Sequence, residues 1–592
     1  MGDVKMLTDA LIKAYHIHET PLFCGLSQNL FDALMFYLAP LEAKCGETIY
    51  LEGEFNTDVY FVISGRVRIA QDGNTIKELG RGGICGGSSI KPAQSSATAI
   101  RDSFLLKLSM PAIEVLIQKN PKEFFPFIQT ILTASLTIDE KEIVSRFKDF
   151  FVYVDVHDEF TKNLVASFKR ELERYGTTVV INQESVFAHE RNLDSWLIKQ
   201  EMNHSFIIYE ADQTDFPWME RFIKQSDRIL FFCRSFNRMN PDLENIYNQA
   251  LRYGKVADLI LIHSAAAEYP SDTQKWLKKL PGINWHHIRE NVIEDLQRIA
   301  RIISGNAISL VLGGGGARGL AHIGLYKALR ELKIPVDWIG GSCSGSIISG
   351  VIAKQVSIEE MIGYAKQYGP GRFRNVLDFT IPVISVMSGM KINHMLKSIF
   401  GNLQIEDLWI NYFSVATNLT KSRIETIRMG SLWKAIRASI SIPVALPPMT
   451  NEEGDILIDG AVINNLPVDM MKNFIYQGKV IAANFQGRPL SPTNFDSTSY
   501  GFWRSFKSFI LNDHPKLNLF KMLERTTMLA SRRHSEQYSK EADFFISYEI
   551  PRVGYFQFQE VERLVELGYR QAMERADELC ELKKTRFVNP GS

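Results

Sequence analysis

The chain has 592 residues, 45% of them apolar and 23% charged, the balance of an ordinary globular protein and not of a disordered or fibrous one. Lysine and arginine number 67, and aspartate and glutamate also 67, so there is no net basic field and nucleic acid is not expected as a partner. At ~150 residues per domain the length predicts three to four domains.

Six cysteines, at 24, 45, 85, 233, 343 and 580, lie scattered without CxxC pairs or metal-ligand spacing. That pattern predicts a reduced compartment and no metal site. The N-terminal MGDVKMLTDALIKAYHIHE lacks the apolar core of a signal peptide, and Met6 stands where a myristoylation motif needs Ser or Thr. No apolar stretch approaches the ~20 residues that cross a bilayer. The expectation is a cytoplasmic protein whose membrane contact is peripheral and transient.

From residue 22, short strands alternate with glycine turns: 48–51, 59–63, Gly65, then 67–70. Period-2 alternation predicts a small β-roll, closed by a helical run from Met110, as one module over 22–135. Its segments GETIYLEGE, DVYFVISGRVRI and GGICGGSSIKPAQSSATAI resemble a cyclic nucleotide-binding domain. That family holds the ribose with a Glu and the cyclic phosphate with an Arg. Gly87 and Ser95 stand at those positions here. Without the paired donors of the Arg, cyclic nucleotide is not expected to bind. The module is expected to regulate or dock by surface contact.

Over 148–304, β-rich runs at 151–156, 177–181, 206–209, 229–232 and 259–262 alternate with amphipathic stretches at 162–174, 194–202 and 243–253. That alternation predicts a doubly wound parallel sheet. No catalytic constellation shows there. A spacer, a docking surface and a degenerate nucleotide-binding fold all fit.

Glycines concentrate from residue 305 onward. In ISLVLGGGGARGLAHIGLYKALREL, a strand at 308–312 leads through Gly313–Gly316 and Gly319 into an amphipathic helix. Backbone N–H groups at such a helix start form an anion site. Gly314, Gly316 and Gly319 spell GxGxxG, a weak dinucleotide fingerprint. The same N–H groups suit an oxyanion hole. The next segment, VDWIGGSCSGSIISGVIA, discriminates between them. It sets Gly341-Ser342-Cys343-Ser344-Gly345 between a strand and a helix, the GxSxG frame of a nucleophile elbow with cysteine at its centre. In GDILIDGAVINNLPVDMM, a strand ends at Asp459 before Gly460. Alone, Asp-Gly is an ordinary turn; beside an elbow, that carboxylate can serve as a base.

In this order, the three segments resemble the patatin-like phospholipases. The likeness is nearer still to the neuropathy target esterase branch, through LVLGGGGARG, QIEDLW, GSLW, IRAS and LPP. It is strong over about 305–480 and weaker through the middle region. The resemblance implies hydrolysis of a fatty acyl ester of lysophospholipid or phospholipid by a nucleophile–Asp dyad, without cofactor. The dyad carries over as Cys343 and Asp459. Backbone N–H groups at Gly314, Gly315 and Gly316 become the oxyanion donors, and Arg318 braces that loop or meets lipid phosphate. Gly341 and Gly345 frame the elbow. Gly460, Asn464 and Asn465 support the Asp loop. His322 is read as structural, since the dyad requires no histidine. The expected class is α/β: a patatin-like three-layer α/β/α hydrolase domain over 305–585, preceded by the β-roll and the middle α/β region.

A cysteine at the elbow fits a working thiol, a natural loss of activity or a deliberate substitution. The helix N-terminus favours a thiolate, while the Asp459 anion opposes one. Weak esterase activity is expected, with a catalytically silent patatin-fold scaffold as the alternative and a dinucleotide oxidoreductase as the third reading. Residues 500–522 mix Phe, Trp, Arg and Lys in an amphipathic pattern, which suits either a lid helix or a membrane interface.

Overall fold

The computed structural model describes residues 9–87, 92–119, 121–136, 148–154, 159–210, 216–368, 378–475, 477–485, 529–550, 553 and 560–586. The expected amphipathic stretch at 500–522 lies outside them. The chain divides into two compact units, one running to Gly305 and one from Asn306 to Thr585, with Tyr269–Ser271 counted in the second. Among the described residues, no helix is long and apolar enough to cross a membrane, and no group of three His, Cys, Asp or Glu is placed to hold a metal ion.

The first unit opens with a β-roll of two four-stranded antiparallel sheets. Strand Val59–Ser64 shows why it folds. Val59, Phe61 and Ile63 face a cluster with the helices, while Tyr60 and Val62 face the second sheet, so both faces are buried. The expected helical run is two helices, Met110–Lys119 and Pro121–Leu136. Pro121 starts the second because its missing N–H costs nothing in a first turn.

The middle region is a six-stranded parallel sheet, in the order Thr178–Ile181, Phe206–Glu210, Asp149–Val154, Arg228–Arg234, Val256–His263, Asn284–Arg289. Five strands coincide with the expected apolar runs. The sixth was missed because NWHHIR carries no apolar run. Its histidines are buried instead: His287 Nδ1 meets His263 Nε2 at 3.0 Å, and His286 lies 3.4 Å from Asp258.

Within this unit, the β-roll joins the middle sheet through buried charge. Arg101, 3% exposed, pairs with Asp149 and with Glu201 at 2.8 Å. Arg66 reaches Asp227 at 3.4 Å. The Lys255 ammonium donates to the carbonyls of Ile100 (2.6 Å) and Ser226 (2.7 Å), and burial lowers its pKa to about 8. Arg101→Ala strips Asp149 of its nearest cation inside the protein. Breaking a buried pair this way costs about 3–5 kcal/mol. The urea midpoint of the first unit is expected to fall accordingly; an unchanged midpoint would contradict this account of the junction.

In the second unit the sheet runs Met449–Thr450, Ile456–Asp459, Asn411–Asn418, Trp338–Ser342, Ile308–Leu312, Lys479–Phe485, Phe544–Tyr548, with Arg423–Ile427 also paired to Asn411–Asn418. Its four central pairings, from Asn411–Asn418 to Phe544–Tyr548, are parallel. Helices cover both faces. Ile308, Leu310, Leu312 and Ile339 enter one core with helix Ala321–Glu331. On the other face, Trp338 stacks on Phe474 of helix Val468–Phe474, ring centroids 5.5 Å apart. Two glycines let helix Ala321–Glu331 pack tightly on helix Val561–Met573. A Cβ on Gly324 would lie 2.0 Å from Val565 O, and one on Gly568 2.0 Å from Ala321 O.

Candidate active site

The buried strand Ile308–Leu312 delivers the chain into the glycine loop, which tightens into a short 3-10 helix at Gly316–Leu320. Side chains are excluded here: a Cβ on Gly314 would meet Cys343 Cβ at 2.5 Å, and one on Gly315 would meet the Phe485 ring at 2.4 Å. The loop's N–H groups are not all free for an anion. Gly314 N–H donates to Asn465 Oδ1 (2.9 Å), and Gly315 N–H donates to Ser344 Oγ (2.9 Å). Of the three expected donors, Gly316 N–H is the one that, with Ser344 N–H at the helix start, pulls the Cys343 thiol pKa down. Two satisfied N–H groups also leave little of a pyrophosphate cradle for the GxGxxG reading.

Arg318 and His322 brace this loop. Arg318 Nε donates to Gly315 O (3.2 Å), and its guanidinium lies 5.6 Å from the Phe485 ring centre. His322 is fully buried. Its Nε2 donates to Gly313 O at 2.9 Å, which leaves Nδ1 to accept from Tyr548 OH at 3.3 Å. Burial lowers its pKa to about 4, which favours the neutral ring that these two hydrogen bonds need.

Strand Trp338–Ser342 turns directly into helix Ser344–Ala353 at Cys343, whose backbone sits at φ +51°, ψ −126°. Few non-glycine residues adopt a positive φ, and such strain concentrates at functional turns. The turn closes because its flanks carry no side chain. A Cβ on Gly341 would lie 2.6 Å from Leu312 O, and one on Gly345 2.0 Å from the same oxygen. Cys343 is therefore the residue at the apex. Ser342 is part of the strand, and Ser344 opens the helix with its hydroxyl engaged by Gly315. Sequence reasoning missed one support: Ser439 Oγ accepts the Cys343 N–H at 3.0 Å. Only its place in the IRAS motif signalled it.

Asp459 ends strand Ile456–Asp459 and is 1% exposed. Its Oδ1 accepts Ala461 N–H at 2.8 Å, while the buried Oδ2 makes no well-formed hydrogen bond. The Cys343 thiol is its neighbour. Burial pushes the Asp459 pKa up to about 7, against the pull of the Ala461 N–H and the thiol. Burial, and then the Asp459 charge, push the Cys343 thiol well above its ordinary range. The helix N-terminus does not overcome them.

Gly460 lets this turn lie against the sheet, since a Cβ there would stand 2.3 Å from Val415 O. Asn464 Nδ2 donates to Asp469 (2.9 Å), and its Oδ1 accepts Leu466 N–H (3.1 Å), which fixes the loop after the aspartate. Asn465 works elsewhere. It grips both the N–H and, at 3.1 Å, the carbonyl of Gly314. Gly345→Ala is expected to force strand and helix apart at the elbow, lowering stability by about 3 kcal/mol or more. A thermal melt within a degree of the unsubstituted chain would contradict the close contact described here.

Residues 310–472 match the family model of patatin-like phospholipase, 154–305 that of the Neuropathy Target Esterase family P-loop like domain, and 40–120 that of the cyclic nucleotide-binding domain. Patatin-like phospholipase domain-containing protein 7 of Mus musculus is 29% identical over 612 residues, covering 90% of this chain and 45% of its own. Patatin-like phospholipase domain-containing protein 6 of Homo sapiens is 30% identical over 504 residues, 73% of this chain and 36% of its own. A lysophospholipase of Cryptococcus neoformans var. neoformans is 27% identical over 550 residues, 79% and 34%. The chain thus spans less than half the length of each of these relatives. Along the chain, then, a cyclic nucleotide-binding domain, a Neuropathy Target Esterase family P-loop like domain and a patatin-like phospholipase domain follow one another, and the chain is similar over most of its length to patatin-like phospholipase domain-containing proteins 6 and 7.

Proposed function

We propose that the second unit is a carboxylic ester hydrolase for the fatty acyl esters of lysophospholipid or phospholipid, slowed by the cysteine at its elbow. The observation that carries this reading is the buried, under-bonded Asp459 carboxylate beside an apex residue held at positive φ. With a hydroxyl at position 343, Asp459 takes the proton as the oxygen attacks the acyl carbonyl. The oxyanion is met by Gly316 N–H and Ser344 N–H. The proton then passes to the departing lipid oxygen, and water activated by the same carboxylate releases the fatty acid. A thiol at this position stays protonated, and its larger sulfur sits where the pocket suits oxygen. A silent scaffold is the second reading, and the raised thiol pKa favours it.

Cys343→Ser is expected to raise lysophosphatidylcholine hydrolysis at least tenfold, and adding Asp459→Asn to lower it again by about 10²–10⁴. If Cys343→Ser is no better than the unsubstituted chain while Ser344→Ala abolishes activity, the nucleophile lies at 344. The base works only when ionised, so kcat/KM of Cys343→Ser should climb as pH rises through about 7. A flat profile from pH 5 to 9 would remove Asp459 from the role.

The β-roll is proposed as a docking module that takes no cyclic nucleotide. Gly87 gives its N–H to Asp58 O at 2.9 Å, and Arg66 and Arg101 are committed to carboxylates of the middle region. Isothermal titration with cyclic AMP or cyclic GMP should give no binding heat; micromolar affinity would overturn this.

A further inference from the structure

Residues 378–388 form a small hairpin with an apolar tip. Phe379 pairs with Met387 in an antiparallel bridge, and the Thr380 N–H donates to Val386 O at 3.0 Å. The base is pinned by Asp378, which accepts from Ser388 Oγ (2.5 Å) and from the N–H groups of Gly389 (3.2 Å) and Lys391 (3.1 Å). The tip is not core. Phe379, Ile381, Val383 and Ile384, with Met390 just beyond the hairpin, are 70–85% exposed. Proteins seldom leave so many large apolar side chains together in water without a use for them.

The hairpin is fastened to the catalytic framework. Val386 N–H donates to Val444 O (2.8 Å) and Met387 N–H to Ala445 O (3.1 Å), while Ser441, earlier in the same loop, accepts the Asp459 N–H (3.0 Å). Val444 holds φ +67° and is 51% exposed. A left-handed β-branched residue is a costly conformation, and this one is an exposed apolar side chain on the stretch of backbone that holds the hairpin. Charge selects the occupant. No Asp or Glu occurs in 379–405 or in 438–451, whereas Lys391, His394 and Lys397 follow the hairpin. The one acid at its base, Asp378, is turned onto backbone N–H groups and Ser388. An apolar tip that is free of acids and is followed by a helix exposing Lys391 and Lys397 complements an anionic lipid surface.

We infer that the 378–390 hairpin, together with Val444, is the element by which this chain docks on a bilayer bearing anionic phospholipid, setting the Cys343–Asp459 site at the lipid surface. The inference rests on the lipid reading of that site for its purpose, though not for its geometry.

The test is flotation of the full chain with phosphatidylcholine vesicles, with and without phosphatidylserine. The unsubstituted chain should float, more strongly with phosphatidylserine. Ile381→Asp with Val383→Asp should weaken partition at least about tenfold, and Lys391→Glu together with Lys397→Glu should remove the phosphatidylserine increment alone. In the Cys343→Ser background, the paired hairpin substitutions should lower hydrolysis of vesicle-borne lysophospholipid while leaving a soluble short-chain ester unaffected. A chain that does not float overturns the inference, as does one that floats equally well with both hairpin substitutions. So does a pair of substitutions that only converts a dimer to a monomer by light scattering. If Cys343→Ser cleaves neither ester yet floats through the hairpin, the docking stands and the esterase reading falls.

Discussion

Strand Trp338–Ser342 and helix Ser344–Ala353 meet almost without room between them, and the Leu312 carbonyl sets the limit. A Cβ on either Gly341 or Gly345 would press into that oxygen, so only glycine closes the turn. Of the three residues between them, the central one, Cys343, takes a positive φ. From that constraint follow the placement of the Cys343 sulfur at the helix start, the approach of Gly314 to its Cβ, and the proximity of Asp459 from the antiparallel neighbour of strand Asn411–Asn418. Asn465 and Ser344 then use two of the glycine loop's N–H groups to hold the loop over the elbow. Part of the expected anion cradle is thus spent on structure.

The same burial that shapes the site decides its electrostatics. Desolvation lifts Asp459 to about 7 and the thiol well above its ordinary range, so near neutral pH the thiol keeps its proton while the carboxyl titrates. For a hydroxyl, this arrangement is serviceable: a carboxylate poised near neutrality gains the proton as the oxygen attacks. For a thiol, the usual advantage is a ready thiolate, and here that advantage is removed. The identity of one atom at residue 343 therefore carries the difference between a working and an idle site on a scaffold that is otherwise intact.

Much of this was legible in the sequence because it was written in residue types that have few other uses. Four successive glycines, a GxSxG frame and an Asp-Gly at a strand end announce tight backbone approach, and the structure finds each of them crowded. What stayed hidden depended on direction rather than composition. Gly314, Gly315 and Gly316 look alike as letters, but Asn465 and Ser344 claim two of their N–H groups. The sixth strand of the middle sheet is polar because its histidines bury against His263 and Asp258, and no periodicity reports that. Ser439 lies 96 residues from the cysteine it supports. The exposed tip at 379–384 reads in sequence as one more apolar run, since nothing in TIPVISVM tells a core strand from a surface one.

Catalysis at this site requires residue 343, and no neighbouring serine, to be the nucleophile position. A fluorophosphonate ester reacts covalently with an activated hydroxyl in an oxyanion hole, so labelling followed by peptide mass spectrometry addresses this directly. In Cys343→Ser, the label should fall on residue 343, and adding Asp459→Asn should abolish it. Label on Ser342 or Ser344, or labelling indifferent to Asp459→Asn, would contradict the account.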